Sequence, residues 1–119
     1  MTGLFNHPKR KLKKFIHDGE YEQAIEHAKS MENKFSDDPD FLFIMGSMFY
    51  ILEDVKKSLY YLQRVLEFNK FDVEALSLKL RIHQFLKEND NVIDCCKRIL
   101  NVDSENHEVK DILDQLEES

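Results

Sequence analysis

Small and apolar residues recur along the chain in blocks that repeat every 34 residues. The segment 53–66 returns, with the same order of polar and apolar positions, as 19–31 and as 87–100. Within each block the repeated positions stand at i, i+1, i+4 and i+7, as one buried face of a helix requires. They are Ala24, Ser58 and Val92; Ile25, Leu59 and Ile93; Ala28, Leu62 and Cys96; and Met31, Val65 and Ile99. A fixed period of this length predicts a helical repeat, because each unit is too small to bury its own apolar face and must stack on a neighbour.

Three capping residues fix where the first helix of each pair begins. Asp38, Asp72 and Asn106 stand 34 residues apart, and each side chain can accept a hydrogen bond from a free amide at a helix start. Pro39 follows at a first helical position, where its missing N–H costs nothing. These signals predict first helices, called A helices below, at about 39–52, 73–86 and 107–117, with an earlier one at 8–17. The second helices, called B helices, are expected at about 21–34, 55–68 and 89–101.

The predicted fold class is all-α, a right-handed α-solenoid of about three helix–turn–helix units of 34 residues followed by a C-terminal capping helix. We expect a single domain over residues 1–119, with repeats at about 5–38, 39–72 and 73–106. The last helix, 107–117, is apolar on one side and polar on the other, as expected of a helix that closes the end of a solenoid.

The repeat resembles the tetratricopeptide repeat (TPR) family, whose unit is a 34-residue helix–turn–helix. The residues that carry the resemblance are Gly46 and Phe49 on the central A helix, Ala24 or Ser58 at a small B-helix position, and Gly19 with Tyr21 before the first B helix. The chain departs from the family pattern where the usual proline is absent and where bulky or polar residues replace small or aromatic ones: Ser36, Lys70, Ser104, Leu80, Val92 and His83. At Gly46 we expect Ser58 or Leu59 of the next helix to pack on bare backbone.

The resemblance implies a non-catalytic protein–protein interaction module or adaptor that binds a peptide or helix in a concave groove lined by the A helices. Phe43, Ser47 and Tyr50 are separated by four and three residues and therefore share one face of their helix. Apolar residues elsewhere on that helix suffice to fill the faces towards its neighbours: Phe41, Leu42, Met45 and Phe49. The stripe is therefore expected to be exposed, without a core role; the alternative is that the two rings are core. The candidate groove residues are Lys13, His17, Phe43, Ser47, Tyr50, Ser77, Arg81 and Gln84.

One subclass of the family holds the terminal carboxylate of its partner with lysine, asparagine and arginine at defined positions of the A helices. Lys9 matches one such position. Lys13 and Ser47 stand where asparagine would be, and Glu74 and Leu78 where basic residues would be. The clamp is incomplete, so binding of that class is not expected. The basic residues Lys13, His17 and Arg81, which flank the aromatic stripe, instead favour an apolar partner segment with some negative charge.

The net charge of −6 is unevenly distributed. Residues 1–17 carry five basic side chains and no acid, whereas residues 107–119 carry five acids and one lysine. The acidic total argues against a nucleic-acid partner, which needs phosphate neutralisation. The opposite ends suggest an alternative function, a structural module that forms weak, salt-sensitive homo-oligomers end to end. The longest apolar run, Phe41 to Leu52, is too short to span a membrane, and we expect a cytoplasmic protein.

Catalytic chemistry has little support in the sequence. The five histidines show no metal-ligand spacing, and no phosphate-binding glycine loop or nucleophile motif occurs. The two cysteines, Cys95 and Cys96, are neighbours without a disulfide framework, which suits a reducing compartment. We expect Cys95 to face outward and Cys96 inward. The predictions are therefore no enzyme activity, no cofactor and no metal site.

Overall fold

Seven α-helices make up the part of the chain that the computed structural model describes, residues 7–118. They are α1 (Pro8–His17), α2 (Tyr21–Phe35), α3 (Pro39–Ile51), α4 (Val55–Phe68), α5 (Val73–Leu86), α6 (Asn89–Val102) and α7 (His107–Glu117). No strand occurs between residues 7 and 118. The predicted all-α repeat fold is confirmed, and no predicted helix end differs from the observed one by more than one residue.

The three predicted capping residues form the expected hydrogen bonds. Asp38 accepts from the amides of Asp40 and Phe41 at 2.9 and 3.3 Å, Asp72 from Ala75 at 3.0 Å, and Asn106 from Val109 at 3.1 Å. Each side chain thus satisfies amides that have no partner within the first turn of a helix. The same local device therefore starts α3, α5 and α7.

The helices stack into an elongated body of 56 × 25 × 22 Å. Contacts join the pairs α1–α2, α3–α4 and α5–α6, and α4–α5 and α6–α7 link successive pairs. The A helix α3 also touches α1 and α5, so the A helices lie side by side along the stack. Between residues 7 and 118, none of the helices combines the length and hydropathy needed to cross a membrane.

Burial follows the 34-residue period. In all three B helices the first, third and fourth repeated positions are buried and the second is half-buried. The core also takes Phe41, Leu42, Met45 and Phe49 from α3, as the sequence predicts, together with Ile44 and Met48. Equivalent positions in successive repeats therefore occupy equivalent sites in the stack.

Gly46 lies where α3 packs closely against α4. The Ser58 hydroxyl donates a buried hydrogen bond to the Gly46 carbonyl oxygen at 2.7 Å. A Cβ atom on Gly46 would lie 2.9 Å from Cδ2 and 3.1 Å from Cγ of Leu62. The expected close approach of the B helix is present, but the crowding side chain is Leu62, with Ser58 in the hydrogen bond and Leu59 in neither role.

We predict that Gly46→Leu destabilises the protein. Leu62 is fully buried, so a large side chain at position 46 must displace it, and overpacking of this kind costs about 1–3 kcal/mol. The higher helix propensity of leucine returns at most about 1 kcal/mol. Thermal unfolding followed by circular dichroism should show a lower melting temperature, and an unchanged or higher one would contradict the proposed packing.

Asp38 also forms an ion pair that connects α1 to the start of α3. Lys9 Nζ of α1 lies 2.9 Å from Asp38 Oδ2 and 3.4 Å from Asp40 Oδ2. Burial alone would raise the pKa of the Asp38 carboxyl, but hydrogen bonds from Lys9 and from the Phe41 and Asp40 amides outweigh it and hold the pKa below its usual value of 3.8. The hydrogen bond to Asp38 likewise raises the pKa of Lys9.

We predict that Asp38→Asn lowers the melting temperature at neutral pH, and that the loss disappears in acid. Because the pKa is lowered in the folded state, ionised Asp38 contributes its full stability above the unfolded pKa of about 3.9. That contribution is lost as the pH falls through the folded pKa. Asparagine keeps the cap, whereas Asp38→Ala should cost about 1 kcal/mol more.

The matched control is Asp72→Asn, which changes a cap of the same kind that makes no ion pair with any residue from 7 to 118. Its effect on the melting temperature, and the pH dependence of that effect, should be smaller. Equal pH profiles for the two variants would show that the Lys9 pair contributes nothing.

Candidate partner-binding groove

Three adjoining cavities follow the side-by-side A helices. The first, called the N-terminal cavity, has a volume of about 320 Å³ and lies where α1, α3 and α5 meet. It is lined by Lys13, Ile16, His17, Asp40, Phe43, Ile44, Ser47 and Glu74. This cavity joins residues from three consecutive repeats, so it exists only because the repeats stack.

The second, the central cavity, has a volume of about 450 Å³ and lies between α3 and α5. It shares Phe43, Ser47 and Glu74 with the N-terminal cavity. Its full lining is Phe43, Ser47, Tyr50, Ile51, Val73, Glu74, Ser77, Leu78 and Arg81. Together the N-terminal and central cavities form a continuous depression, which we call the groove.

A third cavity of about 620 Å³ continues from the groove at the C-terminal ends of α3 and α5. It shares Tyr50, Ile51 and Arg81 with the central cavity. Its full lining is Tyr50, Ile51, Glu53, Val55, Arg81, Ile82 and Phe85. We call this cavity the ridge pocket.

Seven of the eight candidate residues from the sequence line the groove: Lys13, His17, Phe43, Ser47, Tyr50, Ser77 and Arg81. Gln84 is not among them. It lines a separate cavity of about 210 Å³ with Lys87, Ile112 and other residues of α5, α6 and α7. Gln84 is therefore not brought together with the other seven in one cavity.

The aromatic stripe of α3 is less exposed than the sequence suggests. Phe43 and Tyr50 are both half-buried, and each packs against the hydrophobic core while it lines the groove. The expectation that this stripe has no core role was therefore wrong. Because α3 has neighbours on both sides, its apolar surface is nearly continuous, and the two rings form the wall between core and groove.

The charges in the groove differ in whether they have partners. Lys13 and Arg81 are exposed and form no ion pair with any residue from 7 to 118, whereas Lys9 is held by Asp38 and Asp40. The His17 ring lies 3.3 Å from Asp18, and the hydrogen bonds from Lys14 and His17 lower the pKa of Asp18. Glu74 lines both parts of the groove. Each part of the groove is thus lined by one cation without an ion pair, Lys13 or Arg81, and by acids, Glu74 in both parts and Asp40 in the N-terminal cavity.

The ridge pocket was not predicted from the sequence. Its outer walls are Ile51 and Phe85, whose exposed fractions are 51% and 77%. The two residues stand 34 positions apart, so the period itself would have paired them. Apolar residues near a helix end commonly pack against a neighbouring helix, so the sequence alone does not mark these two as exposed.

Both cysteines are fully buried, at 0% exposure, so the expectation that Cys95 faces outward was wrong. Burial raises the pKa of the Cys95 thiol to about 11, against the opposing effect of Lys79, and burial likewise raises the pKa of Cys96. Nowhere in residues 7–118 do three or more His, Cys, Asp or Glu side chains gather as metal ligands. The thiols therefore act as small core side chains.

We predict that a thiol reagent modifies the folded protein only slowly at neutral pH, since the reactive thiolate is scarce and buried. Denaturant should accelerate modification of both cysteines to the rate of unfolded peptide. The variant Cys95→Ser should leave one slow thiol. Rapid stoichiometric labelling of the native protein would contradict the buried placement.

Comparison with known proteins supports the fold independently of the sequence pattern. Neither a protein-family model nor a curated protein matches the chain. The solved structure of the first TPR domain of Spaghetti (RPAP3), bound to the HSP90 peptide SRMEEVD, is similar to this chain with a TM-score of 0.78. The alignment covers 93% of this chain and 88% of that one at 17% sequence identity. The chain therefore has the tetratricopeptide repeat fold that the sequence suggests.

Proposed function

We propose that the chain is a non-catalytic interaction module that binds a protein or peptide segment in the groove between α1, α3 and α5. The observation that carries the proposal is the convergence of seven candidate residues on two adjoining cavities lined by both apolar and polar side chains. Clefts of this composition are typical of binding sites. The similarity to a TPR domain with a peptide bound supports the same function.

The partner differs in class from an acidic chain terminus. A carboxylate clamp needs free cations, but Lys9, the residue at a matching position, is held by two aspartates. Glu74 lies in the groove where a basic residue would be required. Repulsion by Glu74 and the occupied state of Lys9 both oppose a terminal carboxylate there. We infer an internal, amphipathic segment instead.

Lys13 and Arg81 indicate where negative charge on that segment is favourable. Lys13 lines the N-terminal cavity and Arg81 the central cavity, and neither forms an ion pair with any residue from 7 to 118. Phe43 and Tyr50 offer partly exposed aromatic surface between them, and aromatic residues are frequent anchors of interfaces. An apolar segment with acidic residues towards its ends complements this arrangement.

End-to-end self-association has weaker support. The two ends do differ in charge, but Lys9 and Lys14 of α1 already form ion pairs within the chain, with Asp38 and Asp18. Lys97 and Glu117 are likewise paired at the acidic end. Less charge is therefore left for contact with a second copy than the sequence alone suggests, and such contacts are weakened further by salt screening.

We predict that Ser47→Arg abolishes binding of peptides selected against the wild-type chain from a randomised displayed library. Ser47 lies between the two rings and lines both parts of the groove, so a long side chain there fills the cavity without removing a core contact. Isothermal titration of the selected peptides with each variant is the measurement. This substitution is preferable to truncation of Phe43 or Tyr50, which would also weaken the core.

The matched control is Ser30→Arg, an exposed serine on α2 outside the groove, which should bind as wild type does. The peptide SRMEEVD should show no saturable binding to the wild-type chain. Selected peptides that bind Ser47→Arg as tightly as wild type would overturn the groove, and saturable SRMEEVD binding would overturn the proposed partner class.

A further inference from the structure

Residues at the same position of successive repeats form what we call a column, and one exposed column is apolar in two of its three members. His17, Ile51 and Phe85 stand at the same phase, 34 residues apart, at the last or next-to-last position of α1, α3 and α5. All three are exposed, Phe85 at 77% and Ile51 at 51%. Apolar residues at an equivalent exposed position of two successive repeats form an edge along the stack. Contiguous exposed apolar surface of this kind commonly marks an interaction site.

Ile51 and Phe85 both line the ridge pocket. The ridge pocket has a volume of about 620 Å³, within the range of about 300–1,000 Å³ that is common for ligand sites. Ile82, at 2% exposure, and the half-buried Tyr50 and Val55 complete its apolar lining. An apolar side chain from outside would therefore contact an aliphatic and aromatic surface on several sides.

Two charged residues, Glu53 and Arg81, line the ridge pocket. Arg81 also lines the central cavity, so it lies where the groove passes into the ridge pocket. Glu53 lines the ridge pocket and neither part of the groove. Arg81 has no ion-pair partner from residue 7 to residue 118, and a guanidinium can bind a carboxylate through two parallel hydrogen bonds. A segment that extends from the groove into this pocket passes Arg81 first.

We propose that the ridge pocket binds one large apolar side chain of the partner segment, next to an acidic residue that pairs with Arg81. The proposal rests on the proposed function, because the segment that fills the groove is the one that continues into the pocket. It adds a partner class: an internal segment with a leucine, isoleucine, methionine or phenylalanine within a few residues of an aspartate or glutamate. The groove then orients the segment, and the ridge pocket selects it.

The test uses peptides selected on the wild-type chain from the randomised library. Phe85→Ser should weaken their binding at least about tenfold, because it removes an apolar contact with the bound side chain. Ile51→Ser should weaken binding as well, but Ile51 also lines the central cavity, so Phe85→Ser is the variant that decides. Both side chains are exposed, so the circular dichroism spectrum and melting temperature should be nearly unchanged. The matched control is Phe68→Ser, which changes a phenylalanine of 54% exposure at the end of α4, outside all three cavities. It should bind as wild type does.

Selection repeated on Arg81→Glu tests the charged half of the proposal. The acidic residue beside the apolar anchor should be replaced by lysine or arginine in the enriched peptides. Retention of the acid would overturn the assignment of Arg81.

The outcomes separate this proposal from the proposed function. Peptides that lose binding on Ser47→Arg but not on Phe85→Ser would leave the groove in place and overturn the ridge pocket. Peptides unaffected by either variant would overturn both. Sedimentation analysis gives a further outcome: a wild-type dimer that Phe85→Ser converts to monomer would mean that a second copy of the chain covers the ridge, which overturns a partner segment there.

Discussion

A helix pair of 34 residues cannot bury its own apolar face, and the rest of the structure follows from that constraint. A pair on its own would expose apolar surface on both sides, so neighbouring pairs must cover it. Within a pair the two helices already pack closely, since a Cβ on Gly46 of α3 would lie only 2.9 Å from Cδ2 of Leu62 in α4. The hydrogen bond from Ser58 to the Gly46 carbonyl satisfies a buried polar group at the same point. Packing and hydrogen bonding therefore fix the same helix separation.

Stacking also determines which charges are available for a partner. Side chains close to the joint between repeats find partners there, as Lys9 does with Asp38 and Asp40, and Arg64, which donates to the Ser36 carbonyl oxygen at 2.8 Å. Residues on the open face of the A helices have no such neighbour, and Lys13 and Arg81 stay without ion pairs among residues 7–118. The basic N-terminal helix is thus less available than its composition suggests. Net charge by segment is a poor guide to free charge once helices pack.

Features that depend only on the position of a residue within the repeat are predicted well from the sequence. Features that depend on how closely two helices approach are predicted less well. Capping residues and repeated apolar positions are local, so the seven helices and most of the core follow from them. The half-burial of Phe43 and Tyr50 depends on how near α1 and α5 approach α3, which the period does not specify. The same holds for Cys95, which lies at 0% exposure. At His83, where the family prefers an aromatic residue, the ring is buried with Nδ1 2.7 Å from Glu88 Oε1, a local solution that no repeat pattern contains.

Buried columns and groove-lining columns differ in how far they keep one kind of residue from repeat to repeat. The buried column of Met31, Val65 and Ile99 keeps one kind of residue in every repeat, whereas the buried column of Ala24, Ser58 and Val92 departs from it only at Ser58, whose hydroxyl is hydrogen-bonded. The groove columns change their chemistry from repeat to repeat, as in Lys13, Ser47 and Arg81. Nothing in the stack requires those differences, so they are free to match an irregular partner. The column of His17, Ile51 and Phe85 is exposed, lines the groove at His17 and Ile51, and is apolar in two successive repeats. Packing among residues 7–118 does not account for the apolar character of Ile51 and Phe85, whereas the proposed partner segment would, and the ridge pocket that they line shares Arg81 with the groove.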